Sequence, residues 1–218
     1  MTTFKRSRFL ICAFLFSCVY ARGEVRLPSI FGDHMILQRE TTVKIWGWAD
    51  PGESVMVSPS WSNKATTVTA SGNGDWSLDI TTPTAGGPYE INIQGSNKIV
   101  LSDVLIGEVW ICSGQSNMEW GSAQNLPQMI EELPKSTNSQ LRLYHIPKRT
   151  ADYPQFDLES QWKPCGPESL AGFSAVGYFY AKRLQERLGV PVGIINASWG
   201  GTPAETWVPK PIIMENAA

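Results

Sequence analysis

Long apolar runs are scarce in this 218-residue sequence, which argues against a permanent membrane span. The longest, Phe9 to Tyr20, is about a dozen residues, too short to cross a bilayer as a stable helix. Lys5, Arg6 and Arg8 precede it and Ala21-Arg22-Gly23 follows, so residues 1–23 read as an export signal. Leu15-Phe16-Ser17-Cys18 resembles a lipoprotein box, with bulky Phe16 where a small residue belongs. A secreted or periplasmic location is expected, with a lipid anchor as the minor alternative. Removing the segment takes away Lys5, Arg6, Arg8 and Arg22 and no acid, leaving 14 basic and 20 acidic residues, a net charge of −6. No basic run remains, which excludes nucleic acid as an expected partner. Cysteine is sparse too. Only Cys112 and Cys165 survive, and one possible pair is no disulfide framework. Whether they pair stays open, although Cys112, ending an apolar strand, suits a small buried hydrophobe. No metal and no cofactor is expected.

What remains divides into two grammars. Residues 24–103 alternate short strands with turns and show no helical period, which predicts a β-sandwich domain. Val43 to Trp48 is one strand, Thr66 to Ala70 another. Trp76, Leu78 and Ile80 alternate with polar residues, as do Tyr89, Ile91 and Ile93. From residue 104 to 218 the order becomes strand, loop, helix, strand, which predicts an α/β layer on a parallel sheet. Pro127 to Leu133 reads as a short helix and Leu141 to Ile146 as a strand. Ser174 to Leu188 is the strongest helix, with Val176, Phe179, Tyr180, Leu184 and Leu188 as its apolar stripe and Gly189 ending it.

The chemistry is concentrated where Val104 to Cys112, read as a buried strand, runs into Ser113-Gly114-Gln115-Ser116-Asn117. A serine in such a turn can point its hydroxyl into a cleft beside backbone N–H groups. Val190 to Asn196 is a second apolar strand, ending in Ala197-Ser198-Trp199-Gly200-Gly201-Thr202. If both strands are parallel members of one sheet, right-handed crossovers bring their carboxyl ends to the same edge, where ligands bind. Gly200 and Gly201 would then offer N–H groups to a developing oxyanion near Ser116. The two histidines read as structural. His145 shares a strand face with Leu141 and Leu143, and His34 sits beside Asp33 in the β region. Of nine tryptophans, Trp46, Trp48 and Trp76 are expected to pack the sandwich. Trp120, Trp199 and Trp207 flank the cleft, where their faces could stack on a sugar ring.

Gly114-Gln115-Ser116-Asn117-Met118 and the stretch from Ser198 to Trp207 resemble the first two motif blocks of the sialate O-acetylesterase family, in the SGNH-hydrolase superfamily, and of its acetylxylan-esterase relatives. Residues Leu27 to Gln38 and Ala171 to Tyr178 are similar to that family as well, so the resemblance runs from about Val25 to Trp207. Met118 stands where a Gly-x-Ser-x-Gly elbow has its second glycine, which separates the chain from ordinary α/β-hydrolases. The resemblance implies an SGNH-like α/β domain and a carbohydrate O-acetylesterase acting on an O-acetylated sugar or glycan. It implies Ser116 as nucleophile, and the N–H groups of Ser116 and of Gly200 or Gly201 as oxyanion donors. Gln115, Asn117, Trp120 and Trp199 are expected to bind substrate. The family's Gln-Gly-Glu and Asp-x-x-His segments do not occur here, and the tail from Pro209 to Ala218 shows neither cap nor closing strand. A cut-short chain is therefore expected, with the base supplied from beyond residue 218. The competing readings are a non-catalytic glycan-binding protein, or a fragment with neither function.

Overall fold

The structure is a computed structural model that describes residues 23–216. The expected export signal, apart from Gly23, lies outside the described residues. In chain order come β1 (Ile36–Gln38), β2 (Thr42–Trp48), β3 (Ser54–Pro59), β4 (Thr66–Thr69), β5 (Asp75–Thr81), β6 (Gly86–Gln94) and β7 (Lys98–Gly114). Then follow α1 (Ser116–Glu119), α2 (Pro127–Glu132), β8 (Asn138–His145), β9 (Trp162–Cys165), α3 (Pro167–Leu170), α4 (Ala175–Leu188), β10 (Val192–Ser198) and α5 (Lys210–Asn216). No described helix is long and apolar enough to cross a membrane.

The mixed α/β architecture matches the expectation, but its two halves share a strand. β7 is 17 residues long and passes straight through the expected boundary at 103/104. Its first half pairs antiparallel with β6, and its second half pairs parallel with β10. The larger sheet therefore runs β4-β3-β6-β7-β10-β8-β9, with β1 joining β7, while β2 and β5 form a separate antiparallel pair. The change of partners falls between Ile106, still opposite Gly86 of β6, and Glu108, opposite Val192 of β10, a few residues past Asp103, which sits at φ 53. Alternation does its work in the β half: Trp76, Leu78 and Ile80 of β5 are buried against a core that includes Val55, Val57, Ile91 and Ile93. Trp76 is fully in that core, whereas Trp46 and Trp48 are half-buried and meet edge to face at 5.4 Å.

The same core continues under the α/β sheet, for Tyr144 of β8 and Trp162 of β9 belong to it. Trp162 donates its indole N–H to the Ile30 carbonyl at 2.9 Å, and the Tyr144 and Ser29 hydroxyls lie 2.7 Å apart. An ionic tie joins β8 to β7 as well. Arg142, 2% exposed, donates to both carboxylate oxygens of Asp103 at 2.7 and 3.0 Å. The His34 ring meets the same carboxylate through Nδ1 at 2.7 Å. His34 is thus structural, as expected, with Asp103 rather than its neighbour Asp33 as partner.

Two expectations about burial need correction. The helix at Ala175–Leu188 forms, capped by Ser174 Oγ accepting from the Gly177 N–H at 3.0 Å and closed by Gly189 at φ 66. Its sheet-facing side, however, is Ala175, Gly177, Tyr178 and Ala181, while Val176, Tyr180 and Leu188 are exposed. Small residues let the helix approach closely: a Cβ on Gly177 would lie 3.1 Å from Cys112 Sγ. The second half of β7 is likewise open, with Trp110 42% and Ile111 68% exposed. Among the described residues β10 is the only strand paired with Glu108–Gly114, so the other edge of that segment has no strand beside it. Cys112 and Cys165 are both buried and free. Burial pushes both thiols up, Cys165 to about 12, which makes them inert packing groups.

Candidate active site

β7, β10 and β8 are parallel neighbours, and their register sets Cys112, Asn196 and His145 level with one another. Their carboxyl ends consequently share one edge, as the crossover argument requires. At the end of β7, Gly114 adopts φ 136, a conformation costly for any side chain, and the chain turns into α1. Ser116 begins that helix. The N–H groups of Met118 and Glu119 both donate to the Gln115 carbonyl at 3.0 Å, and Trp120 N–H donates to the Ser116 carbonyl at 2.9 Å. Ser116 is half-buried, and its Oγ donates to Gln115 Oε1 at 3.1 Å. Among the described residues no histidine hydrogen-bonds it.

The loop after β10 is laced to this turn. Trp199 N–H donates to the Gly114 carbonyl at 2.9 Å. Gly200 lies so close that a Cβ there would sit 3.5 Å from Ser116 Cα. Asn196, buried at the end of β10, shapes the loop by accepting from Ser198 N–H and Oγ at 3.2 and 2.7 Å. Thr202 Oγ1 donates to the Trp199 carbonyl at 2.7 Å and accepts the Trp207 indole N–H at 2.9 Å. Gln115, Asn117 and Trp120 are exposed, and Trp199 is half-buried. Trp199 and Trp207 also line a cavity of about 270 Å³ with Ile146, Pro147 and Arg149. A larger cavity, about 550 Å³, lies elsewhere, around Ser29, Trp46 and Tyr144. It contains none of the motif residues, so the motif geometry, rather than size, identifies the site.

One feature of the site was invisible in the sequence. The Gly200 N–H is not open: it donates to Glu119 Oε2, while Glu119 Oε1 takes an ion pair from Lys148. Of the glycines expected to serve an oxyanion, Gly200 thus has its N–H engaged within the protein. The Lys148 ammonium, and then the Gly200 N–H, hold the Glu119 carboxyl below the usual carboxylate range. His145 is near as well, sharing a small cavity with Glu119 and Lys148. Its Nδ1 is 3.4 Å from Asn196 Nδ2, and its ring meets Phe173 edge to face at 6.2 Å. Burial, reinforced by the Lys148 charge and opposed by Glu119, lowers its pKa below 6.5. His145 therefore stays neutral at pH 7 and stands on the site's edge of the sheet. Sequence reasoning missed Glu119 and Lys148 because their partners are distant in the chain.

The family model described as "Carbohydrate esterase, sialic acid-specific acetylesterase" matches residues 106–217, about half the chain. The chain belongs to the sialic acid-specific carbohydrate esterase family. Within that family it is 31% identical to the sialate O-acetylesterases of Pongo abelii and Homo sapiens over 201 residues, 84% of this chain. It spans only 38% of the length of either relative. A crystal structure of a carbohydrate acetylesterase from Xanthomonas citri superposes with a TM-score of 0.82 at 36% identity, over 87% of this chain and 43% of that one.

Proposed function

We propose that the protein is a carbohydrate O-acetylesterase that removes acetyl groups from sugar hydroxyls through an acetyl-enzyme on Ser116. The observation that carries this reading is the placement of Ser116 against the Gly200 loop at the carboxyl edge of a parallel sheet, in a member of this esterase family. In the first step Ser116 Oγ attacks the acetyl carbonyl and loses its proton to a base. The tetrahedral oxyanion is held by backbone N–H groups at Ser116 and Gly201. The C–O bond to the sugar then breaks, and the departing oxygen takes the proton. Water adds to the acetyl-enzyme, acetate leaves, and Ser116 regains its proton. Trp120 and Trp199 provide faces for a sugar ring beside Ser116, with Gln115 and Asn117 as exposed polar partners. The apolar segment with its basic start supports export, and hence a glycan substrate outside the cytoplasm.

The test is Ser116→Ala in the longest form of the protein that the gene encodes. Turnover of p-nitrophenyl acetate should fall by roughly a million-fold with folding intact, as removal of a triad serine does elsewhere. Retention of a tenth of wild-type turnover would remove Ser116 from the nucleophile's role. A covalent serine probe separates esterase from glycan binder, since only the esterase is labelled at Ser116.

A further inference from the structure

We infer that Glu119 is a positioning residue of the esterase site, holding the loop at Gly200 against the turn that carries Ser116; this rests on the acetylesterase reading above. Glu119 is the last residue of the short helix that begins at Ser116, so its backbone is fixed relative to the serine. Its carboxylate spans 81 residues of sequence to accept the Gly200 N–H. The other oxygen takes the Lys148 ammonium, which arrives just after β8. One side chain thereby joins the segments that follow all three parallel strands. The tie is partly shielded, with the Glu119 side chain 26% exposed.

The chemical consequence is a division of labour within the glycine pair. A carboxylate bound to the Gly200 N–H occupies the place where an oxyanion would need that donor, and expelling it would strand a charge beside the substrate. Gly200 is therefore anchored, and the neighbouring Gly201, whose N–H is presented by an anchored loop, serves the oxyanion with Ser116. Such donors help only when held within a fraction of an ångström of the transition-state oxygen. Losing the tie should therefore lower kcat more than it raises KM.

The experiment compares Glu119→Ala and Glu119→Gln in the longest form of the protein, with p-nitrophenyl acetate turnover, Ser116 labelling by a fluorophosphonate, and Ser116→Ala in parallel. Glutamine keeps one oxygen to accept from Gly200, but replaces the oxygen that accepts from Lys148 with an NH2 group and removes the charge, so it breaks the Lys148 arm and spares the Gly200 tie. The expected result is a fall in kcat of roughly 10–100-fold for alanine, KM within about threefold, and kcat restored to within about threefold of wild type by glutamine. A kcat within twofold for alanine would overturn the proposal. So would equal damage from both variants, because the Lys148 ion pair and not the Gly200 tie would then be what matters. If alanine fails to fold, glutamine decides: near-normal kcat and labelling support the tie, and loss of either overturns it. Ser116→Ala keeps the underlying reading separate, since turnover persisting in that variant sinks the esterase assignment whatever Glu119 does.

Discussion

Two carboxylates lie on β7 and just past its end, and each binds a cation and a second group, yet they do different work. Asp103, within β7, takes Arg142 and the His34 ring. Glu119, just past the end of β7, takes Lys148 and the Gly200 N–H. By pattern alone, His34 beside Asp103 at 2.7 Å looks like the base and orienter of a serine hydrolase. Asp103 is nevertheless eleven strand steps from Gly114, roughly 30 Å or more at about 3.3 Å per residue, so the pair cannot serve Ser116. What separates the two is burial of the cation. Arg142 is 2% exposed while the Lys148 side chain is 38% exposed, so only the first tie must hold for the core to form.

The difference can be broken from the Asp103 side first. Asp103→Asn keeps the left-handed backbone that Asn tolerates, but leaves Arg142 buried without its counter-charge. The expected loss is about 3–5 kcal/mol, read as a large fall in urea midpoint, and a loss below 1 kcal/mol would show that Arg142 finds water instead. At the site, Gly201→Val should lower turnover by roughly a hundredfold or more, because Gly201 sits at φ 79 and carries the proposed oxyanion N–H. Gly200→Ala should cost less: its Cβ would meet the flexible tip of Glu119 at 2.8 Å rather than fixed backbone. Equal turnover in the Gly201 variant and wild type would take this loop out of the chemistry. The smallest effect concerns His145. Its folded pKa is below 6.5, so the unfolded chain binds the proton more readily, and stability is lost as pH falls through 6.5 toward the folded value. Melting between pH 7.5 and 5.5 should therefore drop less in His145→Gln than in wild type, by about 2–4 °C at most. Loss of turnover in that variant, with the melt unchanged, would make His145 the base.

Ser116 and the Gly200 loop were legible because their signals are local: a polar turn after an apolar strand, twice, in the right order. The strands of the β half were legible for a similar reason, since alternation is written within each strand. The packing face of α4 was not. Two overlapping stripes satisfy the same 3.6-residue period, and the one that packs sets Tyr178 among Ala175, Gly177 and Ala181, small residues whose value is closeness rather than hydrophobicity. The ties of Asp103 to Arg142 and Glu119 to Gly200 span 39 and 81 residues, and nothing in either neighbourhood announces the partner.

β7 also decides how this protein can be taken apart. A linker between domains can be cut and each side still keep its own edges, but a cut at 103/104 would sever a continuous strand. The β half would lose part of the ladder that β7 gives β6, and the α/β half would lose the rail that delivers Ser116 to its turn. The β6 ladder and the turn that carries Ser116 consequently hang on one continuous strand.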